Sequence, residues 1–145
     1  MTNMEFKIVT REKDLQRAFK LRREVFIGEQ GVPAELELDE DDKRAIHFIV
    51  QTPEAVIGTC RLLLVNDNLA KVQRMAIKKE YRNKGVGSRL LSEVMDFAKK
   101  EGLEELLLHA QTHAVAFYKN NGFNVLSEDI IEEAGIEHLK MNKIL

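Results

Sequence analysis

The sequence predicts an α+β fold, one mixed sheet carrying helices on both faces, and three observations carry that prediction. Apolar, β-branched runs alternate with segments of helical period in the order β-α-ββ-β-α-β-α-β-β. No repeat, low-complexity tract or Pro/Gly/Ser linker divides the 145 residues, which read as one domain over 1–145. The composition, 44% hydrophobic and 32% charged, is that of an ordinary globular chain.

"EFKIVT" (5–10) is the first strand. Thr10 is placed to cap the helix that follows, with Glu12 and Asp14 in its first turn. Leu15, Ala18, Phe19, Val25 and Phe26 keep helical spacing, and Arg22 interrupts that stripe. Gly28, Gly31 and Pro33 are expected to break the helix, and the acidic run after them is loop or short helix. "AIHFIVQT" (45–52) and "AVIGTCRLLLV" (55–65) form a hairpin around Pro53. "NDN" (66–68) turns the chain into an antiparallel strand, "LAKVQRMAI" (69–77). After Gly87, Leu90, Leu91, Val94, Met95 and Ala98 mark one face of a helix that ends at Lys99, Lys100 and Gly102. "LEELLLHA" (103–110) is a strand of a covered sheet. Thr112 is a candidate cap for a helix through Tyr118, stopped by "NNG" (120–122); "FNVLSE" (123–128) and "EHLKMNKI" (137–144) complete the sheet.

Charge and cysteine content exclude several classes. A net charge of −2 argues against a nucleic-acid binder working by global charge. The single Cys60 excludes an internal disulfide and fits a reducing compartment. The N-terminal residues lack an apolar signal core and no run reaches the ~18 residues of a membrane span, so a cytoplasmic protein is expected. Charge is unevenly spread, however: "ELELDEDD" (35–42) holds six acids, and "KKEYRNKGVGSR" (78–89) holds five bases against one acid.

The basic stretch has the makings of an anion site. It follows a strand and opens a helix, whose first turn offers unpaired N–H groups and the positive end of a dipole. Gly85 and Gly87 let backbone approach a ligand, Arg82 and Lys84 add charge, and Ser88 adds a hydroxyl. The Walker spacing is absent, and a dinucleotide fingerprint fails because Leu90 stands at its third glycine. Taken on its glycines alone, the loop reads equally as a surface turn with solvated lysines.

Arg82-Asn83-Lys84-Gly85-Val86-Gly87 does fit Arg/Gln-x-x-Gly-x-Gly/Ala, and so resembles the acyl-CoA pyrophosphate loop of the GNAT superfamily of N-acyltransferases. "VQRMAI" resembles that family's splayed central strand, and "AVAFYKNNGF" (114–123) its late helix. "REVFIGEQGVPAELELDEDD" (23–42) and "NVLSEDIIEEAGIEHLKMNK" (124–143) resemble the YjcF-like, ElaA-related bacterial branch. The resemblance spans almost the whole chain. It implies a mostly antiparallel twisted sheet and acyl transfer, usually acetyl, from acetyl-CoA to an amine, with no metal.

By that resemblance the N–H of Met75 polarises the thioester carbonyl, Ala76 and Ile77 pair with the pantetheine amides, and N–H groups from Asn83 to Ser88 meet the phosphates. Tyr118 is the candidate general acid. With a pKa near ~10 it can serve a thiolate whose conjugate acid is near ~8.5 only if it is raised little or stabilised neutral. A half-buried helix aromatic is the plainer reading of that residue. His138 is a candidate base and equally a structural strand residue; Glu29 or the acids at 35–42 are alternatives acting through water.

The acceptor stays open. The acidic run could focus a cation or be a solvated loop, whereas Arg22 and Arg74, if they face the cleft, favour an acceptor with a carboxylate or phosphate. His109 and His113 lack a further ligand cluster, so no metal site is expected, and Cys60 in an apolar strand reads as core. The expected function is N-acetyl transfer from acetyl-CoA to a small-molecule amine by direct attack. The alternatives are a CoA-binding sensor or interaction module without turnover and a protein-lysine acetyltransferase. No nucleic-acid or membrane partner is expected, and exposed sheet edges admit a homodimer.

Overall fold

The computed structural model describes residues 3–145. Its elements are β1 (Glu5–Ile8), α1 (Glu12–Arg22), α2 (Ala34–Glu37), β2 (Ile46–Gln51), β3 (Val56–Leu64), β4 (Leu69–Ile77), α3 (Val86–Lys100), β5 (Glu105–Gln111), α4 (Val115–Asn120), β6 (Asn124–Val125), β7 (Ile131–Glu133) and β8 (Ile136–Ile144). One eight-stranded sheet runs β1-β2-β3-β4-β5-β8-β6, with β7 also on β8. Among the described residues only the β4–β5 pair is parallel.

Helices cover both faces, each for a reason visible in its residues. On one face Leu90, Leu91, Val94 and Ala98 of α3 lie against Phe48, Val50, Leu62, Leu106, Leu108 and Met141 of the sheet, with Phe123 and Tyr118 beside them. Burying each large apolar side chain there contributes about 1.5–3 kcal/mol. On the other face Ala18 and Leu21 of α1, followed by Val25 and Phe26, cover Ile49, Val56 and Ala76. Strand residues alternate between the two clusters as the pleat requires.

Several local expectations need correction. Thr10 does not cap α1: Arg11 is the N-cap residue and no side chain caps the helix. Nor does Thr112 cap α4, which is preceded by a 3₁₀ turn over Thr112–Ala114. Gly28 does not break the first helix, because α1 runs on as a π-helical stretch through Arg23–Glu29 before the chain turns at Gly31, φ +72°. The acidic run forms α2 and a 3₁₀ turn at Glu40–Lys43. An additional short strand, β7, makes a hairpin with β8 through Ala134 and Gly135, both at positive φ.

Candidate functional site

The parallel β4–β5 pairing is short. It covers Leu69↔Glu105, Ala70↔Leu106 and Lys71↔Leu107 and stops there, although β4 continues to Ile77 and β5 to Gln111. The two central strands therefore part company over their C-terminal halves. A β-bulge in β4 begins the departure: pairing with β3 jumps from Arg61↔Gln73 to Thr59↔Ala76, and Arg74 inside it has φ +57°. Beyond the last shared pair lie Met75, Ala76 and Ile77, so β5 offers their backbone no ladder partner. Ala76 packs toward α1, whereas Met75 and Ile77 pack on the α3 side.

The chain leaves this open edge through the basic loop and enters α3 directly. Asn83 and Gly85 sit at φ +61° and +81°, and Gly85 is the N-cap. No acid occupies the first turn of α3, so its N–H groups and dipole are uncompensated by side-chain charge. A Cβ at Gly85 would meet nothing within 4 Å, leaving room for a ligand. Gly87 has a different reason to be glycine: a Cβ there would lie 3.1 Å from the Phe117 ring. Val86 is buried and contributes backbone alone.

Arg82 is not free. Its Nε donates to the Ile77 carbonyl at 2.8 Å, and its other nitrogens pair with Glu29 at 2.7 and 2.9 Å. Arg82 thus braces the loop against the end of β4, and Lys84, whose Nζ lies over the Tyr81 ring at 5.9 Å, is the more available cation. Glu29, considered for substrate or proton handling, is the partner in that brace. Its neighbour Gln30 accepts from Gln111 Nε2 at 2.8 Å, so adjacent residues of the π-helical turn touch the exits of both parting strands.

Tyr118 stands where α4 packs against the start of α3. Asn121 Nδ2 donates to Ser88 Oγ at 3.2 Å and to the Phe117 carbonyl at 2.8 Å, which ties the end of α4 to the loop. The Tyr118 ring makes edge contacts with Phe117 and Phe123 at 5.0 and 5.8 Å between centroids. It is 8% exposed, and burial pushes its phenol well above the ordinary tyrosine range. Of the two conditions set for this residue, burial fails the first and meets the second: the phenol is not raised little but is held neutral, so Tyr118 keeps its proton and is suited to donate a hydrogen bond.

His138 lies opposite Gln111 in the β5–β8 register, and its Nδ1 is 2.7 Å from the Ile136 carbonyl. It lies three positions before Met141, which packs on the α3 side, so His138 points to the other face of the sheet. Tyr118 thus packs on the α3 side near Cys60, whereas His138 lies on the other face beside Gln111 at the end of β5.

Arg22 does not face a cleft. It is 1% exposed, and its guanidinium is consumed by Glu37 Oε1 at 2.6 Å, Asp42 Oδ1 at 2.7 Å and the Glu37 carbonyl at 2.9 Å. Arg61, which sequence reasoning passed over, is equally buried and holds Asp39 at 2.7 Å and Asp42 at 2.8 Å. Arg74 is only half-buried, yet it too spends its nitrogens on the Glu37 and Leu36 carbonyls and on Asp39. Burial alone would raise the Asp42 carboxyl, but hydrogen bonds from Arg22 and Arg61 overcome it and hold Asp42 at about 2. The acids at 37, 39 and 42 are thus half of a compensated network, and a pairing partner for Arg61 in the acidic run is the signal that could have been sought.

Among the described residues no group of three or more His, Cys, Asp or Glu side chains could hold a metal, and no helix is long and apolar enough to cross a membrane. A cleft of about 290 Å³ between β1 and α3, lined by Phe6, Phe48, Leu90 and Phe97 among others, holds none of the site residues.

Residues 9–145 match the model of the acetyltransferase (GNAT) domain. The chain is 39% identical over 140 residues to the uncharacterised N-acetyltransferase YjcF of Bacillus subtilis, covering 97% of this chain and 99% of that protein. It shares its fold with Escherichia coli ElaA, TM-score 0.86 at 23% identity over 97% and 99% of the two chains. It also shares it with a GNAT family acetyltransferase from Elizabethkingia anophelis solved with acetyl-CoA bound, TM-score 0.77 at 17% identity over 99% of each chain.

Proposed function

The chain belongs to the GNAT acetyltransferase family, and from that premise we propose that it transfers an acetyl group from acetyl-CoA to the primary amine of a small molecule by direct attack. The observation that carries the proposal is the early end of the β4–β5 ladder at Lys71 and Leu107, with the glycine loop and Tyr118 gathered around the opening. The open β4 edge at Met75–Ile77 suits the amides of an extended pantetheine arm, as an added strand would. The uncompensated start of α3 suits the pyrophosphate, received by N–H groups from Asn83 to Ser88. Binding of acetyl-CoA by the Elizabethkingia neighbour supports this use of the fold.

In this reading the Met75 N–H donates to the thioester carbonyl as it gains charge. The neutral Tyr118 hydroxyl donates a hydrogen bond from the α3 side to the departing sulfur, which leaves as the CoA thiolate while Tyr118 keeps its proton. His138, on the other face, takes the proton of the incoming amine. A hydrogen-bond donor and a base on opposite faces suit direct attack, since neither needs to exchange places with a covalent enzyme intermediate. Because the nearby acids and arginines compensate one another, the acceptor is selected by shape and neutral polar groups such as Gln30 and Gln111 more than by a charged field.

The test is release of free CoA from acetyl-CoA across amino acids, polyamines, aminosugars and a lysine peptide, with CoA binding measured by calorimetry. Turnover with a small amine is expected. Replacing Tyr118 with Phe should then lower kcat by about 10²–10⁴-fold while CoA affinity is retained. Turnover confined to the lysine peptide would reassign the acceptor class, and tight CoA binding with no turnover would favour a sensor.

A further inference from the structure

Backbone strain, buried charge and an unpaired buried oxygen converge on one residue of β4. Arg74 holds φ +57° within a strand, a left-handed conformation that strains a non-glycine residue. It sits in the bulge where Cys60 alone faces both Arg74 and Met75. Its guanidinium is tied to the segment before β2, donating to the Glu37 carbonyl at 3.1 Å, the Leu36 carbonyl at 3.2 Å and Asp39 Oδ2 at 3.3 Å. That segment is itself pinned by the buried Arg22 and Arg61 through Glu37, Asp39 and Asp42. Finally, Glu37 Oε2 is buried and meets no hydrogen-bond partner among the described residues, so its desolvation is uncompensated.

Stability gives no reason to gather these features, since well-packed apolar side chains in place of buried ion pairs are commonly neutral or stabilising. What they have in common is position. Every bond from Arg74 acts on the residue immediately before Met75, and the anchors approach from a different part of the chain, so the bulge is held from outside its own strand.

We propose that Arg74, anchored by the 36–42 segment, is a positioning residue that fixes the bulge of β4 and thereby aims the Met75 N–H at the thioester carbonyl. The proposal rests on the reading of Met75 given above. It explains why a left-handed arginine is kept where glycine would be unstrained: glycine satisfies the backbone but cannot reach the Leu36 and Glu37 carbonyls or Asp39. It also gives the acidic run a role in catalysis without contact with substrate. A donor displaced by about 1 Å is expected to cost roughly 10²-fold in rate.

The test is the ¹⁵N–¹H resonance of Met75 with CoA and with acetyl-CoA, recorded for the full chain, the Arg74→Gly variant and the Asp39→Asn variant. The natural chain should show a downfield amide-proton shift with acetyl-CoA that CoA alone does not produce. Arg74→Gly should lose that acetyl-dependent shift while its Kd for CoA changes by less than about threefold, and Asp39→Asn should reduce the shift partially. If Arg74→Gly does not fold, Asp39→Asn decides the matter alone. An undiminished shift in the folded variants overturns the role of Arg74. Loss of CoA affinity in parallel with Tm marks the network as structural only and overturns it too. Absence of the shift in the natural chain overturns the Met75 reading, and the positioning role falls with it.

Discussion

Two charged regions of this molecule behave in opposite ways. Three of the six acids of 35–42, Glu37, Asp39 and Asp42, are met by three arginines drawn from α1, β3 and β4, and their charge is consumed within the protein. The bases of 78–89 have few acidic partners; Arg82 is braced by Glu29 and Lys78 by Glu24, while the helix start beside Lys84 carries no acid in its first turn. One region holds the fold; the other, in the function proposed above, receives the phosphates of CoA. A run of like charge is informative only once its counter-charges are located, and these come from residues 15 to 37 positions away in sequence.

The comparison breaks most visibly if an arginine of the first region is removed. Arg22→Ala strips Glu37 and Asp42 of a buried partner at once, and removing one member of a buried pair costs about 3–5 kcal/mol. Urea denaturation should show that loss, whereas CoA affinity of the protein still folded should be unchanged. A cost below about 1 kcal/mol would mean that the network is solvated and behaves like a surface ion pair.

Acid separates the regions next. Asp42 has a folded pKa of about 2 against an ordinary 3.8, so its contribution is complete above about pH 4 and is lost as pH falls toward 2. The difference corresponds to about 2 kcal/mol. His47 moves the same way by another route. Burial lowers its pKa, and its Nε2 bonds the Asp42 carbonyl at 2.9 Å. Below about pH 6.5 the unfolded chain binds a proton that folded His47 resists, so stability should already decline there. Tm measured from pH 7.5 to 3 should fall in two stages, and His47→Gln should flatten the first.

Much of this was legible in the sequence. The order of the main elements, the helix after Gly87 and the covered strand at 103–110 follow from periodicity, and "RNKGVGS" follows the open edge of β4 that the resemblance of "VQRMAI" implied. The role of Arg22 was not legible, because an arginine within an apolar stripe reads as a ligand-facing residue until Glu37 and Asp42 are seen to surround it. Gly87 misled in a smaller way: close approach of Phe117, 30 residues later, accounts for it as fully as a phosphate would. The missing caps have the same origin, since tertiary packing starts α1 and α4 without any hydroxyl.

For the second region Gly85 gives a cleaner probe than Gly87. Its φ of +81° is one that Asn and Asp tolerate better than other side chains, and nothing lies within 4 Å of a Cβ there. Gly85→Asp and Gly85→Asn share shape and differ in charge. Calorimetry should find CoA bound about tenfold more weakly by the Asp variant than by the Asn variant, a difference of ~1.4 kcal/mol. Equal affinities would place the phosphates elsewhere.

The smallest effect divides the loop itself. Lys84 acts by charge alone, over the Tyr81 ring, whereas Arg82 holds the Ile77 carbonyl and Glu29 and so sets the loop's shape. Lys84→Ala should weaken CoA binding by about 0.3–1 kcal/mol at low salt, and the difference should shrink by 0.5 M NaCl as the Debye length contracts. Arg82→Ala should weaken it by a similar amount that survives the salt, because a displaced backbone is not screened. If both losses vanish with salt, Arg82 contributes only its charge and the loop keeps its form without the brace. If neither does, Lys84 is also a structural residue, and recognition of the phosphates belongs wholly to the backbone N–H groups at the start of α3.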